Sequence, residues 1–177
     1  VFDTTASNTG LQSGACALIE KSLAIDLIWI SCRHHVIDVV LSSVFNVSFA
    51  VSSGPEIGLF KRFQQKWSSL DSKTCESAPD CLFPQGTAAL RSEMIIYYKE
   101  AVKKKSQRDD YDELMLLYLL FLGGNPDAPV NIRSPGGMHQ ARWMAKAIYT
   151  LKIFIFRSQL SVTKHEKKGL EDLSLFI

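Results

Sequence analysis

Only four cysteines occur in 177 residues, and Cys16, Cys32, Cys75 and Cys81 lack the dense, regular spacing of a secreted disulfide scaffold. Reduced thiols are therefore the expectation. Charge of one sign is missing as well: Lys+Arg 20 against Asp+Glu 18 leaves a formal +2, so composition alone makes no case for nucleic acid, and any such case must rest on local clusters. The longest purely apolar run, Leu114 to Leu122, falls far short of the ~20 residues that span a bilayer. No charged-then-apolar leader with a small-residue cleavage site is visible, and no internal repeat or low-complexity tract appears. A soluble chain without a membrane partner is expected. Asn46-Val47-Ser48 matches a glycosylation acceptor, but such triplets arise often by chance and carry no weight here.

What is present is 46% hydrophobic residues, enough for one sizeable core with a second helical unit attached. The chain opens on Val1-Phe2-Asp3, which reads as the end of a buried strand, followed by a polar turn from Thr4 to Gly10 and a short helix from Gly14. Leu27-Ile28-Trp29-Ile30 is a compact apolar run with β-branched and aromatic members, suited to a second buried strand. From His34 the period turns helical through Val36, Val40, Leu41 and Val44, and a further helix is predicted from Pro55 with Phe60, Phe63 and Trp67 on one side.

The Ser, Pro and Asp-rich stretch 68–86 reads as a linker loop, dividing an α/β part (1–67) from an all-helical part (87–177). In the second part, Thr87 opens a long helix that ends in the basic run Lys103 to Lys105. Asp109-Asp110 opens a helix that is hydrophobic all round and belongs at the centre of a bundle. Gly123-Gly124 ends it, a helix from about Met138 to Leu160 carries a stripe of Met144, Ile148, Leu151 and Ile155, and a last helix begins near Thr163. With no initiator methionine at one end and no helix terminator at the other, the sequence reads as an internal fragment.

Three clusters could carry chemistry. Asp3 stands where a strand meets a polar turn, a position from which a carboxylate can hold a hard divalent cation, or cap its own turn through backbone donors at Thr5 or Ala6. Cys32-Arg33-His34-His35 puts a thiol and two imidazoles within one turn; a zinc site there would need Cys75, Cys81 or Cys16 as well, and the plain alternative is a buried thiol with locally bonded histidines. His139, Arg142 and Lys146 share one helical face beside Trp143, which suits phosphate contact and base stacking, or else a solvated basic face next to a core indole.

In order along the chain, Phe2-Asp3-Thr4-Thr5-Ala6-Ser7-Asn8, Cys32-Arg33-His34-His35 and Arg142-Trp143 resemble the landmarks of hAT-type DNA transposases. That resemblance implies a mostly helical α/β fragment: part of a ribonuclease H-like core (two strands plus helices) followed by an all-α insertion. It implies a nuclear protein that cuts and joins DNA at transposon ends with Mg²⁺ or Mn²⁺ held by three carboxylates. Asp3 would be the second carboxylate, with Cys32 and His35 the C-x-x-H pair that supports the site and nearby DNA. Trp143 would be the insertion tryptophan that stacks on a flipped base, flanked by His139, Arg142 and Lys146. The first carboxylate would precede Val1, and Glu166 and Glu171 come too early for the third, so the fragment is expected to be inactive alone and to bind no metal tightly. Self-association of the parent stays open. The alternatives from other classes are a non-catalytic helical protein-interaction module and a small zinc-binding regulator.

Overall fold

In a computed structural model, residues 1–49, 57–104, 106, 108–127, 129–136 and 143–177 are described. They form two units, Val1–Ser43 and Val44–Ile177. Eight α-helices occur among them: α1 (Ala6–Thr9), α2 (Ala15–Leu23), α3 (Arg33–Phe49), α4 (Gly58–Lys66), α5 (Ala88–Lys103), α6 (Asp109–Phe121), α7 (Trp143–Ile155) and α8 (Lys164–Phe176).

The two expected strands, and with them the ribonuclease H-like core assigned to residues 1–67, are not there. Among the described residues β-pairing amounts to one isolated parallel bridge between Phe2 and Ser31. The fold is all-helical. Phe2 and Asp3 are followed within three residues by α1, so little extended chain is left to pair. Leu27 to Ile30 is non-helical, but its donors go elsewhere: Glu20 Oε1 accepts from the Leu27 backbone N–H at 2.9 Å and from the Trp29 indole N–H at 2.8 Å. Ile28, which a buried strand would enclose, is 88% exposed. Two short segments without a third partner cannot bury enough apolar surface to make a sheet.

In the first unit, α1 packs on α2 through a tight connection. Gly14 caps α2 with its own N–H given to the Gly10 carbonyl, and a Cβ there would run into the Gly10 backbone and lie 2.8 Å from the Asn8 carbonyl. Only glycine fits. Ala24, with φ 53°, ends α2 in the left-handed conformation, and the N–H of Ile25 reaches back to the Glu20 carbonyl. Cys16 and Leu41 are buried in this unit, whereas Leu18, Ile19, Leu23, Ile25, Val39 and Val40 are all exposed.

The second unit is built around α7, against which α4, α6 and α8 pack, with α5 on the outer side of α6. Every residue from Ala147 to Phe156 is buried. A helical stretch enclosed on all sides needs apolar residues all round, and from Ala147 to Phe156 it has them at every position but Thr150 and Lys152. Aromatic rings fill both flanks: Tyr149 meets Phe60 at 5.4 Å on the α4 side, and Phe154 meets Phe121 at 4.9 Å on the α6 side. The α4 contribution comes from Leu59, Phe60 and Phe63, all buried on one face while Lys61 and Arg62 point outward.

Helix ends follow the chain's own signals. Three aspartates, Asp109, Asp110 and Asp112, sit in the first turn of α6, where the helix dipole favours anions. Its other end closes with Gly123 at φ +85°, its N–H on the Leu120 carbonyl and that of Gly124 on the Leu119 carbonyl. At the start of α8, Thr163 and Glu166 bond reciprocally in a capping box, and Glu166 also pairs with Arg62 at 2.6 Å. The helix expected from Pro55 is seen from Gly58, Pro55 itself lying outside the described residues; of that expected from about Met138 to Leu160, Trp143 to Ile155 is helical and residues 138–142 lie outside the described residues. The Thr163 helix matches α8.

The buried exceptions on α7 are matched by partners. Thr150 Oγ1 donates to the Lys146 carbonyl at 2.8 Å. Lys152, 2% exposed, places Nζ 2.7 Å from Glu113 Oε1 on α6 and donates to the Arg133 carbonyl at 2.8 Å. Burial pushes its ammonium below the ordinary lysine value, and the Glu113 carboxylate opposes that. Glu113 Oε1 accepts from the Arg133 N–H too, so one carboxylate fastens the 129–136 segment to both helices. Removing one partner strands a buried charge. Glu113→Ala should lower stability by about 3–5 kcal/mol in chemical denaturation, whereas Glu113→Leu with Lys152→Met should return to the wild-type value or exceed it by about 1–4 kcal/mol. A double variant as weak as the single one would show that the loss does not come from a stranded Lys152 charge.

Candidate functional site

Asp3 is held by the turn that follows it. Its Oδ1 accepts from the Thr5 hydroxyl at 2.6 Å, the Asn8 side-chain amide at 2.8 Å and the Thr5 backbone N–H at 3.1 Å. The Thr5 hydroxyl bond, then the Thr5 N–H and the Asn8 amide, hold the carboxyl below the usual aspartate range, and His35 adds a smaller pull the same way. The turn-capping alternative read from the sequence is thus realised through Thr5, with Asn8 added to it.

The single bridge gives this turn its place. Phe2 donates to the Ile30 carbonyl at 3.3 Å, and its own carbonyl accepts from the Cys32 N–H at 2.8 Å. Cys32 is also where α3 begins, its carbonyl accepting from the N–H groups of His35 and Val36. Asp3, Cys32 and His35, 29 to 32 positions apart in sequence, therefore gather at one end of the first unit. Cys32 and His35 are half-buried, and His34 beside them is too.

As a divalent-metal site this arrangement is incomplete. A Mg²⁺-type cation takes oxygen ligands in a near-octahedral shell, usually from one or two carboxylates besides substrate phosphates and water. Asp3 offers one carboxylate, with Oδ1 already accepting three hydrogen bonds. Among the described residues no three His, Cys, Asp or Glu side chains cluster as a metal site would require. The residues present do not fit a complete two-metal centre.

The other expected site residues belong to the second unit. His139 and Arg142 lie outside the described residues. Trp143 is the first described residue of α7 and is half-buried, as is Lys146 one turn on, in contrast with the fully enclosed stretch that follows. Glu20 carried no signal in the sequence, a lone acid on a short helix, yet its carboxylate organises the segment leading to Cys32. No helix among the described residues is long and apolar enough to cross a membrane.

No protein-family model matches the chain, and no curated protein or solved structure matches it either.

The Asp3 turn makes a pH statement. A carboxyl whose folded pKa is depressed adds stability that is present above the unfolded value, 3.8, and is lost as pH falls through the lower folded value. Carbon-detected NMR titration should place the Asp3 midpoint below 3.8 in the wild type and move it back toward 3.8 in Thr5→Val, which removes the leading donor. An unchanged midpoint in that variant would show that the hydroxyl does not hold the carboxylate.

Proposed function

We propose that the chain is part of a DNA transposase, a section that engages DNA and lends one carboxylate to a strand-transfer site without being active by itself. The observation that supports this reading is the gathering of Asp3 with Cys32 and His35 by the Phe2 to Ser31 bridge, since these are the landmarks on which the resemblance to hAT-type transposases rests. The reading carries no ribonuclease H-like sheet. It requires further carboxylates from outside this chain before Mg²⁺ or Mn²⁺ could be held, and the nucleus as the place of work.

Within this reading Trp143 is the residue that meets DNA. It is the first described residue of α7 and is half-buried, and Lys146 lies one turn on, also half-buried. His139 and Arg142 complete the basic face in sequence. An indole at such a place gains most from a base that has left the duplex stack.

A second reading, a non-catalytic helical module that binds protein, is favoured by the first unit. Its apolar side chains on α2, on the 25–30 segment and on α3 are largely uncovered, Leu18 at 52% and Ile28 at 88% exposure among them. Surfaces of that kind mark contact with another polypeptide.

Fluorescence anisotropy at fixed salt separates the two. With hairpin-ended DNA, Trp143→Ala should weaken binding about tenfold, as expected for one lost base stack, with a much smaller effect on blunt duplex. Equal losses on both substrates would rule out stacking by Trp143, and a wild-type chain that binds neither DNA would leave the protein-binding reading in possession.

A further inference from the structure

Between the outer side of α4 and the turn that leads into α8 lies a cleft of about 250 Å³. Leu59 and Phe63 stand at its back, 2% and 0% exposed, so an incoming molecule meets the polar rim instead. That rim is Arg62, Gln65 and Lys66 from α4 and Ser161 from the turn, all of them exposed. Arg62 and Lys66 are one helical turn apart on the same side of α4.

The contacts that hold the two elements together leave donors to spare. Arg62 Nη2 pairs with Glu166 Oε1 at 2.6 Å, and Glu166 Oε2 accepts from the Thr163 N–H at 2.9 Å, so both oxygens of that carboxylate are engaged. Asp71, whose N–H bonds Gln159, is engaged as well, one oxygen accepting from the Lys73 N–H and the other from the Thr74 hydroxyl. Lys66 Nζ donates to the Gln159 carbonyl at 3.0 Å, which is a neutral partner. Among the described residues no carboxylate pairs with Lys66, and the side chains of Gln65 and Ser161 have no hydrogen-bond partner. An ammonium has three donors, so two of those on Lys66 remain.

The surroundings carry the same sign. Lys164, Lys167 and Lys168 are exposed on the first turns of α8; Glu171 and Asp172 pair with the latter two, and among the described residues no carboxylate pairs with Lys164. One unanswered positive charge flanked by neutral amide and hydroxyl donors matches an oxyanion of single charge that accepts several hydrogen bonds at once. A phosphodiester is such a group, and Lys, Gln and Ser side chains are among those that contact it on a nucleic-acid backbone.

We propose that this cleft seats a phosphodiester of the DNA backbone, with Lys66 answering its charge and Gln65 and Ser161 donating to its oxygens. The proposal rests on the reading of the chain as one that engages DNA, and it adds a contact that is indifferent to whether bases are paired. Fluorescence anisotropy with blunt duplex DNA over a range of salt reads how many phosphates the protein neutralises. Lys66→Gln should make the slope of log affinity against log salt shallower by about 0.9, so that a rise in salt of about fourfold costs the variant about threefold less than it costs the wild type. Its loss of affinity should be equal on blunt and hairpin-ended DNA, the opposite of Trp143→Ala. Lys66→Arg should restore the slope, Gln65→Ala with Ser161→Ala should weaken binding at unchanged slope, and Lys104→Gln, which removes an exposed lysine at the end of α5, should change neither. Circular dichroism reports the folding of each variant, and should Lys66→Gln fail to fold, the paired Gln65 and Ser161 change decides, undiminished affinity counting against the cleft. An unchanged slope in Lys66→Gln while Trp143→Ala still separates the two DNAs would overturn the cleft alone, and a wild-type chain that binds neither DNA would overturn it together with the reading beneath it. A loss in Lys104→Gln equal to that in Lys66→Gln would also overturn it, because diffuse surface charge would then account for the contact.

Discussion

An α-helix surrounded on every side by protein can hold a charge only if the charge is answered on the spot. From Ala147 onward α7 is such a helix, and Lys152 is the charge. Taking an ammonium out of water costs several kcal/mol, which Glu113 and the Arg133 carbonyl must offset. This requirement fixes the face of α6 turned to α7, since Glu113 must arrive within 2.7 Å of the amine, and it brings the chain after Gly124 back over the same spot. The aromatic flanks then fill the space at either side, Phe60 and Phe63 with Tyr149, Phe121 with Phe154. Apolar contact supplies most of the stabilisation of the second unit, while the ion pair sets the relative placement of its helices.

The first unit is organised on the opposite principle. It has few buried side chains, and its order comes from polar groups serving several donors at once: Glu20 for Leu27 and Trp29, Asp3 for Thr5 and Asn8. These are short-range contacts that tie neighbouring parts of the sequence. The Phe2 to Ser31 bridge brings the aspartate to the start of α3, and a broad apolar surface is left open. Both functional readings draw on this unit, one from its polar end and the other from its uncovered side chains.

Helices in the second half were legible because their signals are local: three acids opening α6, glycines closing it, the Thr163 and Glu166 pair opening α8. The strands were misread because β structure depends on partners that a single run of sequence does not show. Leu27 to Ile30 has the composition of a buried strand, yet a carboxylate seven residues earlier takes its first donor and nothing pairs with the rest beyond Ser31. Asp3 was recognisable by its place before a polar turn, and its closeness to Cys32 followed from the parallel approach of the two segments, which survives in the one bridge. The 68–86 loop looked like plain surface, but the N–H groups of Glu76 and Ala78 bond the carbonyls of Ile155 and Phe121, so its backbone is stitched to α7 and α6. The meeting of Lys66 with Ser161 left no trace in the sequence at all, since it follows from how α4 and the start of α8 pack.

Lys152 also gives the molecule an internal clock. Amine-directed reagents reach the exposed lysines, such as Lys164, Lys167 and Lys168, from the native state, but at Lys152 they find 2% of the side chain. Acylation there must wait for the interior to open, so its rate follows the population of unfolded chains while its neighbours react at once. One residue thus reports on the whole helical assembly without any added label.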